Sequence, residues 1–322
     1  MKCTIRNLAA WSVANGMILS GLVRRKIKNL LSTECITTIC FHNPSQKEFE
    51  YCISWLRNKK FTFLSIADVD NLVEHDLPLP KGGVLLTVDD GWQSNEINVA
   101  ELANKYQVPV TIFVSTSPVE EGAYWWSYIR KAANQGLKPP CLETMKNLSN
   151  GKRLEILNQI RKSVSLEREA FTVDQVRRVA SSKFITIGAH THTHPILINC
   201  NSEQVYDELK LSKEKLEKWI GREVPFFAYP NGDYSRREVE LLSMLNYRLA
   251  FTCQPGYLTD DIREARYELP RFGFLEGASK AENVCRMTGL WKLMSQNAKQ
   301  RLRFKKDKVF DGKKKPEVGI NT

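Results

Sequence analysis

The sequence predicts an α/β fold in which parallel strands are covered by helices, as an open doubly wound sheet or a barrel. Three observations predict it. Short apolar, β-branched runs alternate with segments of helical spacing from residue 34 to about residue 252. The runs are continuous rather than alternating, which marks strands buried on both faces. The connections are long enough to carry crossover helices.

The elements follow in order. Residues 35–41 (CITTICF) read as the first strand. Residues 47–58 read as a helix with Phe49, Cys52, Ile53 and Leu56 on one face. A short apolar strand covers 61–64, and the VLLTV run at 84–88 follows Gly82-Gly83 as another. A helix at 98–106 precedes a strand at 108–114. Further strands are expected at 184–187, 225–229 and 248–252, with helices at 203–220 and 237–245 between them. Residues 120–180 break the rhythm. They hold Tyr124-Trp125-Trp126, a Pro139-Pro140 turn and helical stretches such as 153–164, and so predict a helical insertion. The expected organisation is a basic amphipathic segment at 1–33, a catalytic domain at 34–285 and a basic tail at 286–322.

Composition excludes several classes. With 42% hydrophobic and 26% charged residues, the chain is neither wholly disordered, nor collagen-like, nor a polytopic membrane protein. The net charge of +11 is unevenly placed. Residues 1–33 carry +6 with no acid and residues 299–315 carry +7, so the remaining chain carries −2. A near-neutral body argues against a nucleic-acid groove, and no nucleic-acid partner is expected. Basic ends point instead to an anionic membrane surface. Eight cysteines are scattered without a CxxC pair, which points to a reducing compartment. Cys40, within an apolar run, reads as a small buried hydrophobe.

The apolar run at 8–23 is flanked by basic residues and interrupted by Asn15. It is short for a membrane span and lacks a small-x-small cleavage pattern. Three readings stay open: a helix lying on the membrane, a terminal helix packed on the domain, and a signal anchor.

Two stretches carry the chemistry. Thr87-Val88-Asp89-Asp90-Gly91 places adjacent carboxylates at the end of a strand, where α/β folds bind ligands. Gly188-Ala189-His190-Thr191-His192-Thr193-His194-Pro195 holds three of the chain's five histidines. Residues i and i+4 there can converge on a metal, and two imidazoles with one carboxylate leave positions open for water and substrate.

TVDDG and HTHTH are similar to the TFDDG and H-[ST]-x-x-H motifs of the NodB-like polysaccharide deacetylases, carbohydrate esterase family 4. ICFH, PVTIFVST, FAYPNGDYS and ELPRFGF extend the resemblance over about residues 35–275. It implies a distorted (β/α) barrel of about seven parallel strands, here with a helical insertion. It implies a divalent metal, most often zinc, on Asp90, His190 and His194, with Asp89 as general base toward the attacking water. Thr191 would line the site, and His192 would point away. The resemblance further implies that Tyr229 and Asn231, in YPNG, belong to the substrate and oxyanion region. Arg271 would orient Asp89. Many members carry a general-acid histidine late in the chain, but none follows His194. His42, at the end of the first strand, takes that role by similarity to a circularly permuted branch. Trp125 and Trp126 are candidates for stacking on a sugar or for the core of the insertion. The expected function is hydrolysis of an N-acetyl group on an amino sugar of a surface polysaccharide or its lipid-linked precursor. The expected location is cytoplasmic, peripheral at the inner membrane. A deformylase, an O-acyl esterase and a sugar-binding member without activity are the alternatives.

Overall fold

The computed structural model describes residues 4–292. The chain opens with α1 (Ile5–Leu19) and α2 (Leu22–Leu30). The apolar run at 8–23 is thus two helices rather than one. Gly21 turns the chain between them at φ 77°, a conformation that costs glycine little. Then come β1 (Ile36–Phe41), α3 (Gln46–Asn58), β2 (Thr62–Leu64), α4 (Ile66–Glu74) and β3 (Gly83–Val88). A π-helical turn at Glu96–Ala100 runs into α5 (Glu101–Tyr106), followed by β4 (Val110–Val114). Five helices separate β4 from β5 (Ile185–Ala189). They are α6 (Thr116–Glu121), α7 (Trp125–Asn134), α8 (Leu142–Lys146), α9 (Asn150–Arg161) and α10 (Val173–Ala180). The rest is α11 (Ser202–Ile220), β6 (Phe226–Ala228), α12 (Arg236–Met244), β7 (Leu249–Phe251), β8 (Tyr257–Leu258), β9 (Phe272–Gly273) and α13 (Lys280–Met287).

The sheet order is β7-β6-β5-β4-β3-β1-β8, with β2 beside β3 and β9 beside β1. Strands β1 to β7 are parallel, and β8 runs antiparallel to the start of β1. They form a curled half-barrel of seven parallel strands, the distorted barrel expected from the motifs. Residues 269–273 lie across its open seam. Leu269 bridges Phe251 of β7, and Phe272-Gly273 pairs with Ile39-Cys40 of β1.

Strands β1, β3 and β4 are buried on both faces, and their two-residue period divides the residues between two packed layers. Val84, Leu86 and Val88 of β3 pack under the helices. Leu85 faces inward with Ile36, Phe113, Phe226, Leu249 and Phe251. Gly188 sits on the inward side of β5, where a Cβ would come within 2.4 Å of the Phe113 ring, so only glycine leaves that ring its place. The insertion has a small core of its own, built on Trp125, Ile129, Met145 and Leu157.

Thr172 caps α10 in a capping box with Gln175, and Asp174, an acid in the first turn, pairs with Arg177. The basic N-terminal segment lies against the body. Ala10, Ala14 and Met17 of α1 are buried, and Arg6 Nη2 sits 2.6 Å from Glu282 Oε1 of α13. Helix α13 runs on to Met287, past the expected start of the basic tail, and residues 293–322 lie outside the described residues.

Candidate active site

Strand periodicity selects which residues reach the rim. Leu85 and Thr87 of β3 face inward, and Asp89 continues that face. On β1 the inward series ends at His42, and on β5 at His190. Asp90 would face away, but its backbone is left-handed at φ 77°, which turns its carboxylate onto the same rim. Thr191 and His194 are also left-handed, at φ 64° and 54°. Positive φ is costly for a β-branched residue, and such strain persists only where surrounding contacts enforce it.

Asp90, His190 and His194 converge. Asp90 Oδ1 lies 3.5 Å from His190 Nε2 and 3.3 Å from His194 Nε2. The three donor atoms are within 4.8 Å of one another. His190 Nδ1 sits 2.7 Å from the Ala228 carbonyl oxygen. A carbonyl only accepts, so Nδ1 carries the proton and the Nε2 lone pair faces the cluster. The Trp92 indole N–H donates to Asp90 Oδ2 at 3.0 Å, and the Trp125 indole N–H donates to the His194 carbonyl at 3.1 Å. Two imidazoles and one carboxylate, with His190 and Asp90 braced from behind and His194 Nδ1 left without a partner among the described residues, fit a divalent ion with positions left open.

The second carboxylate is held differently. Asp89 and Arg271 are each 1% exposed and form a bidentate pair, with Nη1–Oδ1 and Nη2–Oδ2 both 2.7 Å. Arg271 also donates to Thr87 Oγ1 at 3.1 Å and to the Thr252 carbonyl at 2.9 Å. Arg271 comes from the segment across the barrel seam, which brings it inside. Burial alone would raise the Asp89 carboxyl, but the Arg271 guanidinium, aided by His190, holds it below its ordinary value. Cys40 is buried as expected, yet its thiol donates to Asp89 Oδ2 at 3.3 Å. Burial pushes that thiol well up, so it stays protonated. His42 is exposed at the mouth. A donor atom from each of His42, Asp89 and Cys40 falls within a 4.8 Å cluster. Glu276 Oε1 accepts the His42 backbone N–H at 2.8 Å, and Asn95 Nδ2 donates to the His42 carbonyl at 3.2 Å.

A cavity of about 380 Å³ opens over these groups. The insertion builds one wall, with Trp126, Arg130 and Lys146. The Trp126 ring stands edge-on to His194, 4.7 Å between centroids. Asn231 lines the cavity and accepts from Lys146 Nζ at 2.8 Å. Thr191 is buried, and its hydroxyl donates to the His190 carbonyl. Tyr229 falls on the outward face of β6 and stacks on Tyr234 at 4.7 Å, away from the cavity. His192 also turns aside, its Nδ1 2.7 Å from Thr116 Oγ1.

Glu208 on α11 had no place in the sequence reading. It is 7% exposed and accepts the backbone N–H groups of His192 and Thr193, at 2.8 and 2.7 Å, and the Thr193 hydroxyl. It therefore pins the loop between His190 and His194. Burial raises its carboxyl above the ordinary value despite these bonds. A signal for it existed: Glu208 lies on the buried stripe Val205, Leu209, Ser212 and Leu216. Arg153 of α9 joins the same loop, donating to Asn150 Oδ1 at 2.7 Å and Thr193 Oγ1 at 3.3 Å.

A family model described as polysaccharide deacetylase matches residues 76–250. YxkH of Bacillus subtilis (strain 168), whose name assigns it to the polysaccharide deacetylases, is 21% identical over 73% of this chain and 66% of its own length. The poly-beta-1,6-N-acetyl-D-glucosamine N-deacetylase of Escherichia coli (strain K12) is 24% identical over 63% of this chain. The chain spans only 66% and 30% of these two relatives. The solved structure of the Streptococcus pyogenes deacetylase PplD in complex with acetate has the same fold. It gives a TM-score of 0.58 at 19% identity, over 79% of this chain and 98% of that one. The family match covers more than half of the chain, through both the aspartate pair and the histidine loop, and the chain belongs to the polysaccharide deacetylase family.

Proposed function

We propose that the chain is a metal-dependent hydrolase that removes the N-acetyl group from an amino sugar of a surface polysaccharide or its lipid-linked precursor. The observation that carries this reading is the pairing of two unlike carboxylates. Asp90 converges with two imidazole Nε2 atoms, whereas its neighbour Asp89 is kept ionised by Arg271. A divalent ion on Asp90, His190 and His194, zinc by its donor set, would supply Lewis acidity toward water and the amide carbonyl. Asp89 takes the proton of the attacking water on Oδ1, where Arg271 leaves one lone pair free, whereas Oδ2 accepts from both Arg271 and Cys40. His42, within reach of Asp89 and open to the cavity, gives a proton to the departing nitrogen. Trp126 offers the sugar a ring face and excludes water from one side. Arg130 and Lys146 favour a sugar that carries a phosphate, which supports a lipid-linked or nucleotide-linked substrate. The described cysteines are all free thiols, in keeping with a reducing compartment and the cytoplasmic side.

Metal analysis of the purified protein beside Asp90→Ala and His190→Ala tests the reading. One divalent ion per wild-type chain, lost in both variants, together with acetate release from N-acetylated oligosaccharides, is the expected result. Wild type without bound metal after zinc loading would overturn it. Release of formate, or of acetate from O-acetyl sugars alone, would transfer the site to a deformylase or an esterase.

A further inference from the structure

The first two helices use only half of their surface to hold the barrel. Helix α1 packs on α13 through Ala10, Ala14 and Met17, which fall on one side of the helix. The opposite side carries Ile5, Leu8 and Leu19, at i, i+3 and i+14, with Trp11 beside them. Ile5 is 91% exposed and Leu19 87% exposed. Leu8 and Trp11 are about half exposed, and Leu22 extends the stripe onto α2. No charged side chain interrupts it, because Arg6, the one charged residue of α1, is bound to Glu282.

Helix α2 divides its residues in the same way. Val23, Ile27 and Leu30 are buried, and Arg24, Arg25 and Lys28 stand exposed. Among the described residues none of these three cations meets a carboxylate, and residues 4–33 contain no acid. An apolar groove of about 430 Å³ runs beside the stripe, between Ile18, Ile27, Trp55 and Val284, with Arg24 and Lys59 on its walls. Large apolar side chains flanked by unpaired cations match the acyl boundary and phosphates of an anionic bilayer. None of the described helices is long and apolar enough to cross a membrane.

We propose that α1 and α2 form a docking surface for an anionic lipid bilayer. The stripe Ile5, Leu8, Trp11 and Leu19 enters the headgroup layer, and Arg24, Arg25 and Lys28 meet lipid phosphates. The charge complementarity identifies the occupant: a second copy of this chain would set the three cations of one α2 against those of the other.

Cosedimentation of the full chain with vesicles tests this, comparing pure phosphatidylcholine with mixtures containing roughly one third phosphatidylglycerol. Wild type binds the anionic vesicles, and added salt weakens the binding. Neutralising Arg24, Arg25 and Lys28 together to Ser lowers the partition by on the order of 100-fold. Replacing Ile5, Leu8 and Leu19 by Ser lowers it on neutral and anionic vesicles alike. All these positions are exposed, and unchanged thermal melting confirms that the variants fold. The proposal is overturned if wild type binds no vesicle, or if both variants bind as wild type does, which would place the contact elsewhere in the chain. Self-association of wild type that the Ser variants abolish, without vesicle binding, would also overturn it and make the stripe a dimer interface. The readout is independent of acetate release, so it stands or falls apart from the catalytic reading.

Discussion

Asp89 and Asp90 are adjacent in the chain, yet their surroundings give them different work. Asp90 faces two imidazoles, and Asp89 faces a guanidinium. A buried ion pair is costly to break from one side, because the remaining charge stays buried without its partner. Arg271→Met should therefore destabilise the protein by about 3–5 kcal/mol. Combining it with Asp89→Asn should recover much of that loss, which urea unfolding of the single and double variants would measure. Asp89→Asn alone should retain the metal while kcat falls by about 10²–10⁴-fold, the worth of a general base. A variant that lost the metal as well would make Asp89 a ligand. Sequence motifs exposed the four central residues because the aspartate and histidine stretches are short and local. Cys40 was read only as a buried hydrophobe, since its bond to Asp89 depends on the register that sets Cys40 opposite Thr87.

At the level of elements, alternation along the strands separates what belongs to the site from what merely neighbours it. His42, Asp89 and His190 continue inward faces. Tyr229 continues an outward one and ends among the helices, although its motif is next to the cavity. That parity is legible from sequence once a strand's inner face is known. The placement of α11 against the histidine loop is not, because Glu208 meets Thr193 only through packing of a helix on the sheet. Glu208→Gln should weaken zinc affinity by about 10–100-fold, as loss of a supporting bond does elsewhere, with the fold intact. Equilibrium dialysis with zinc would detect this, and an unchanged affinity would reduce Glu208 to a packing role. The sequence predicts a helical insertion and leaves Trp126 open between sugar stacking and the insertion's core, and only the packing shows that it walls the cavity. Trp126→Ala should raise KM several-fold with a smaller change in kcat, and Trp126→Phe should recover most of the loss.

Over the whole molecule, charge and metal are the two couplings to measure. An ion that binds only the folded chain stabilises it by mass action, about 2.7 kcal/mol at a hundred times its dissociation constant. Zinc added to chelator-treated protein should raise Tm by several degrees, and Asp90→Ala should abolish the rise. The charge map was complete in the sequence: a near-neutral body with +6 at one end and +7 toward the other. What α1 does with its apolar residues was not, and the structure divides them between a face on α13 and a face on solvent.

By itself the sequence determined the α/β class, the seven parallel strands in their chain order, the aspartate pair and the histidine pair. These depend on spacing along the chain, and hydrophobic period and motif are local properties. Only the tertiary structure decided that residues 269–273 cross the barrel seam and deliver Arg271 to Asp89, 182 positions away in the chain. It also decided that α11 holds the histidine loop, and which side of α1 stays open. Those outcomes come from packing between elements remote in sequence, where burial and charge pairing outweigh local preference.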